Sequence, residues 1–112
     1  MESEYRETFS AVERGDNTSK TRLAWYMLSG LGGAEVQMDE AVVLLEERIK
    51  DKDCEAMWML GLCSEFGIGT EQDTERAKTL YEQSSNRGNT IGSFLKQNVN
   101  EEKQDGMLFK HS

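Results

Sequence analysis

The feature that most constrains this chain is that it repeats itself. The dipeptides Gly15-Asp16, Lys52-Asp53 and Gly88-Asn89 recur at intervals of 37 and 36 residues. Self-similarity at such a period points to stacked supersecondary units that share a core along one axis. Between these marks Leu23-Ala24 answers to Leu60-Gly61, Gly30-Leu31-Gly32 to Gly67-Ile68-Gly69, and Ala41 with Leu44 to Ala77 with Leu80. One residue inserted near Val36 accounts for the changed interval.

Each unit reads as a pair of helices. In the second unit, Cys54 to Phe66 contains no breaker except Gly61 and then meets Gly67-Ile68-Gly69, where glycine can take the positive φ of a helix terminus. Asp73 is an N-cap residue type, and after it Ala77, Leu80, Tyr81 and Ser84 fall at i, i+3, i+4 and i+7, one helix face that ends at Gly88. The first unit predicts a helix near Lys20 to Leu28, a glycine turn over Gly30 to Gly33, and a helix near Met38 to Lys50 carrying Ala41, Leu44, Leu45 and Ile49. Ten glycines and no proline suit helices closed by glycine C-caps better than they suit sheets.

The stretch AMWMLGLCSEFGIGTEQDTERAKTLYEQSSNRGN resembles a Sel1-like repeat, a relative of the tetratricopeptide repeats with a slightly longer turn. The family pattern is matched at Ala56, Leu60-Gly61, Gly67, Gly69, Asp73, Ala77 and Gly88. It departs at Ser64, where the family usually has tyrosine, at Thr70, where valine is common, and at Ser84-Ser85, where paired alanines are usual. The first repeat is more degenerate, with Ser19 for the first alanine and Gln37 for the aspartate. The resemblance implies an all-α chain, an α/α solenoid of two Sel1-like helical hairpins with flanking capping helices. The expected organisation is an N-terminal capping helix in residues 1–15, a degenerate repeat in 16–52, a repeat in 53–88, a C-terminal capping helix in 89–97 and a disordered tail over 98–112. The caps are expected because arrays of this kind need roughly three units for stability.

Composition narrows the function. Thirteen basic against twenty-one acidic side chains give a net charge of −8, which repels a phosphate backbone and an anionic membrane surface, so neither nucleic acid nor membrane is expected as a partner. No run approaches the roughly 18 apolar residues of a spanning helix, and MESEYRETFS has no signal-peptide core, so a cytoplasmic location is the expectation. Cys54 and Cys63 on one helix stand about 13 Å apart along its axis and cannot pair with each other, so both are expected free. The sole histidine is His111, and no nucleophile–base, HExxH or phosphate-loop pattern is present, so no catalytic residue, metal or cofactor is assigned and no enzymatic activity is expected. Gly30 to Gly33 precedes a helix, but no strand leads into it and no lysine follows at the required spacing, so it is read as a structural turn.

What stands out is Ala56 to Cys63, eight residues without a polar side chain and hence without an obvious solvent face. The resemblance implies that the first helix of each repeat lines the concave side of the superhelix and the second its convex side. On that register Trp58, Leu62 and Phe66 form one stripe at i, i+4 and i+8, joined by Trp25 from the first repeat and Phe94 from the third first-type helix. Glu55 and Glu65 are expected at the acidic rim of this groove. The predicted function is that of a protein–protein adaptor or scaffold binding a protein or peptide, with basic flanks favoured by the acidic rim. A homo-oligomer is compatible with the same surface. A second reading makes the chain a terminal docking domain of a larger enzyme or signalling protein, such as a kinase or a ubiquitin-ligase complex. A hydrolase of the cysteine-rich Sel1 type fits poorly, because that framework is tied by disulfides.

Overall fold

The computed structural model describes residues 3–99, and among them every regular element is helical. In chain order these are α1 (Glu4–Glu13), α2 (Ser19–Ser29), a 3-10 turn (Leu31–Gly33), α3 (Met38–Lys50), α4 (Cys54–Phe66), α5 (Thr74–Asn86) and α6, residues 90–99. Helix α2 pairs with α3 and α4 with α5, while α1 lies on α2 and α3 on α4. The result is an all-α solenoid of two helical hairpins flanked by α1 and α6. Helix α6 runs through residue 99 and so passes the end at Gln97 expected for the capping helix. The cause is Val99, which falls one helical turn after the half-buried Leu95 and is itself only 5% exposed in the core. The remainder of the expected tail, with His111, lies outside the described residues.

Two of the repeating Asp/Asn marks, Asp53 and Asn89, cap the first-type helix that follows them, while Asp16 closes the turn that leads into α2, whose N-cap Thr18 makes no side-chain capping bond. The Asp16 carboxylate accepts from the Thr18 amide and hydroxyl at 3.1 and 2.7 Å and from the Ser19 hydroxyl at 2.8 Å. Asp53 accepts from the Glu55 and Ala56 amides at 2.9 and 3.3 Å, and Asn89 from the Gly92 amide at 2.8 Å. Capping of this kind satisfies amides that the helix cannot pair internally. Asp53 does more, because its other oxygen accepts the Thr21 hydroxyl of α2 at 2.6 Å and the Arg48 guanidinium of α3 at 3.2 and 3.3 Å. One carboxylate thereby ties both helices of the first hairpin to the start of the second.

The spacing within the second hairpin is set at Gly61. A Cβ there would sit 2.5 Å from Tyr81 Cε1, so the absent side chain is the seat of the tyrosine ring. Tyr81 is fully buried and its hydroxyl donates to Glu65 Oε1 at 2.6 Å. The equivalent pair in the first hairpin is Ala24 with Leu45, both fully buried, in which one methyl more on the first helix faces a smaller side chain on the second. The glycine turns serve contact between units as well as chain reversal. Gly69, at φ +69°, would place a Cβ 2.5 Å from the Met38 carbonyl oxygen at the start of α3. Gly32 stands likewise at 3.2 Å from the Tyr5 amide of α1, which gives the Gly30 to Gly33 stretch its structural role.

Two predictions follow from this packing. An exposed helical glycine replaced by alanine gains stability of about 1 kcal/mol, whereas Gly61→Ala is expected to lose roughly 1 to 3 kcal/mol because the tyrosine must leave its seat. Urea unfolding decides between the two signs. The second concerns acid. Burial raises the Asp53 carboxyl, but its bonds to Thr21, to the Ala56 and Glu55 amides and to Arg48 together outweigh this and leave it below the ordinary 3.8. The Arg76 guanidinium likewise lowers Glu46 from 4.5. Groups depressed on folding contribute stability that is complete above their unfolded values and lost as pH falls through the folded ones. Denaturation midpoints should therefore be level above about pH 4.5 and fall below it, and Asp53→Asn, which keeps the cap, should flatten that slope.

Candidate partner-binding face

Helix α4 is covered on most sides. Ala56 to Gly61 are all buried, and so are Cys63, Ser64 and Glu65. The apolar run is thus explained largely by packing against α2, α3 and α5. The buried Cys63 thiol is pushed up to about 11 by desolvation, which makes it a poor nucleophile or ligand, and both cysteines are free, Cys54 being half-buried. Ser64 carries a buried hydroxyl with no bonding partner where the family pattern has a tyrosine.

One part of the face remains open. An apolar depression of about 240 Å³ lies between α2 and α4, walled by Trp25, Leu28, Met38, Trp58, Leu62 and Ile68. Trp25, 38% exposed, meets the 7% exposed Trp58 edge-on, with ring centroids 6.2 Å apart and planes at 65°. Such a pair adds about 0.5 to 1.5 kcal/mol beyond burial and fixes both rings. Trp58 is held from below as well, since its Nε1 donates to Glu55 Oε2 at 2.9 Å. Glu55 Oε1 accepts from Asn89 Nδ2 at 2.7 Å, which links this wall to the cap of α6. A second depression of about 370 Å³ adjoins the first, sharing Trp25 and Met59 and adding the polar side chains Thr21, Arg22, Asp53 and Glu55. Among the described residues Glu55 has no ion-pair partner.

The structure brings together Trp25, Trp58, Leu62 and Glu55 from the expected groove. It does not place Glu65 at the rim, since that carboxyl is 9% exposed and engaged by Tyr81 across the hairpin. Phe66 and Phe94 are exposed, at 56% and 62%, but neither lines the depression. Of its further walls, Leu28 lies on the concave register expected for the first repeat, whereas Met38 and Ile68 were not singled out by sequence reading. Met38 and Ile68 come from a helix start and a turn, which a stripe along the first-type helices does not include. Among the described residues no cluster of three His, Cys, Asp or Glu side chains could hold a metal ion, and no helix is long and apolar enough to cross a membrane.

Solved structures share this fold, two of them as follows. A Sel1 repeat protein from Oxalobacter formigenes superposes with a TM-score of 0.73 at 23% identity, over 85% of this chain and 38% of its own. The c5321 protein, a protective antigen present in uropathogenic Escherichia coli strains and displaying an SLR fold, gives 0.73 at 25% identity, over 89% of this chain and 21% of its own. The chain thus spans less than half the length of either. No curated protein matches it in sequence. Sel1 repeats generally mediate protein–protein interactions, and their proteins are typically non-catalytic scaffolds. The family model for the Sel1 repeat matches residues 19–47 and 54–89, more than half of the sequence, on the same two hairpins that the structure displays. The chain belongs to the Sel1 repeat family.

Proposed function

We propose that this chain is an adaptor module that docks a protein segment on the α2–α4 face, seating a bulky apolar side chain against Trp25, Trp58 and Leu62. The observation that carries this reading is the Trp25–Trp58 pair, a rigid aromatic wall with one ring open to solvent over an apolar depression. Interfaces draw most of their affinity from a few such anchors in desolvated pockets. The adjoining shelf favours a basic residue beside the anchor, because Glu55 lacks a cation and the chain carries a net charge of −8. Arg22 on the same shelf suits a carboxylate or carbonyl one position further along the ligand. Phe66 and Phe94, exposed on neighbouring first-type helices, extend the apolar surface that a longer ligand would meet. A cytoplasmic site of action belongs to the same proposal.

The chain lengths favour a second reading. Since the module spans 38% and 21% of its structural neighbours, a unit of this size can serve as one docking element within a larger enzyme or signalling protein. Both readings use the same surface.

The test is peptide selection from a display library against wild type and two variants, with stability measured alongside. Trp25→Ala is expected to weaken selected ligands by at least about 2 kcal/mol, with a loss of stability that includes the aromatic pair and is smaller than that of Trp58→Ala. Trp58→Ala, by contrast, should cost roughly 3 to 5 kcal/mol of stability because that ring is buried. Ligands should share a bulky apolar residue next to lysine or arginine, and binding should weaken moderately with salt. Equal affinities for wild type and Trp25→Ala would refute the docking face.

A further inference from the structure

The opposite side of the solenoid carries a comparison made by the molecule itself. Second-type helices of successive units, α1, α3 and α5, align at the intervals of 37 and 36 that relate their closing residues Glu13, Lys50 and Asn86. No Cα of α3 comes within 8 Å of one in α5, and none of α1 within 8 Å of one in α3, so each seam between them is bridged by side chains alone. The α3–α5 seam is closed by charge. Arg76 donates to both oxygens of Glu46 at 2.7 and 2.8 Å, and Lys50 adds an attraction to the same carboxylate.

At the α1–α3 seam the corresponding positions have changed. Glu46 is answered by Phe9, Arg76 by Glu40, Lys50 by Glu13 and Thr79 by Val43. Both cationic positions have become acidic, and the partner acid has become an aromatic ring. The seam is correspondingly open, as an apolar depression of about 300 Å³ lined by Phe9, Val12, Leu23, Met27, Val43 and Leu44, with Glu13 and Glu40 as its charged residues. Phe9 and Val43 are 38% and 57% exposed. Neither glutamate has an ion-pair partner among the described residues.

We infer that the α1–α3 seam is a second docking site, specific for a partner segment that presents an arginine or lysine beside a bulky apolar side chain. The cation supplies from outside what Arg76 supplies within the next seam, and the apolar neighbour covers Phe9 and Val43. Charge complementarity selects this occupant: two uncompensated carboxylates on an apolar rim repel an acidic segment and disfavour a neutral one, whose seating would cover them without a partner. The site is separate from the α2–α4 face, so each can be lost without the other.

The test is an NMR titration of the isotopically labelled protein with synthetic peptides of fixed length, in which each bulky apolar residue is followed either by arginine or by glutamate. Arginine peptides should shift the amides of Val12, Glu40 and Val43, and glutamate peptides should not. The paired change Phe9→Glu with Glu40→Arg rebuilds the internal bridge of the other seam and should weaken binding about tenfold or more. Glu13→Lys, at an exposed position that leaves the fold untouched, should weaken it in the same direction, while Trp25→Ala should leave these shifts unchanged. Shifts that are absent, indifferent to the sign of the peptide charge, or retained in the folded variants would overturn the proposal. So would shifts of the same amides that grow with protein concentration alone, which would assign the seam to a second copy of the chain.

Discussion

The absence of a side chain at Gly61 governs the distance between α4 and α5. With no Cβ there, the Tyr81 ring lies against the helix backbone, and its hydroxyl reaches past to the Glu65 carboxyl. That geometry buries a large aromatic side chain, worth about 1.5 to 3 kcal/mol, and satisfies a carboxyl that would be costly to bury alone. Everything stacked on the hairpin inherits its spacing. Ser84, one turn beyond Tyr81, donates to the Cys54 carbonyl at 2.9 Å and holds the same two helices together at their other end.

Cohesion between units rests on polar caps rather than on apolar area alone. Asp53 satisfies two helix amides, the Thr21 hydroxyl and the Arg48 guanidinium at once, so the start of α4 cannot shift without breaking bonds to both helices of the preceding hairpin. A line of bonds then runs from the cap of α6 to the binding face: Asn89 to Glu55, and Trp58 to Glu55. The orientation of Trp58, and through it of Trp25, is therefore anchored in the same repeated positions that define the fold. A docking surface supported by the elements' own termini is better ordered than one carried on loops.

Much of the fold was legible because its signals are local. Glycines at Gly30 and Gly67 take left-handed C-cap conformations, Asp53 and Asp73 cap from the side chain, and the periodic alanines and leucines mark the faces that meet. What was not legible lies across the chain. Glu65 was assigned to the rim because its place in the register points outward, yet Tyr81 draws it inward by a bond that spans sixteen residues of sequence. The Arg76–Glu46 bridge spans thirty residues and carries no pattern within either helix. Met38 and Ile68 wall the depression from outside the stripe, and Val99 is buried by a helix continuing through a polar stretch. Periodicity tells which face is apolar, and only the packing tells which polar group is recruited to it.

Degeneracy in a repeat protein carries information of its own. Positions that must match for units to stack, such as Ala24 and Gly61 or Asp53 and Asn89, stay small or keep their capping chemistry along the chain. Positions at the seams are released from that requirement, since side chains alone bridge the gap and an exposed pair such as Arg76 with Glu46 contributes only about 0.2 to 1 kcal/mol. A seam can therefore lose its internal bridge with little loss of stability. Exposing Phe9 and Val43 in place of that bridge does nothing for the folded state, because apolar surface open to water gains nothing from folding. It changes only what the seam can hold.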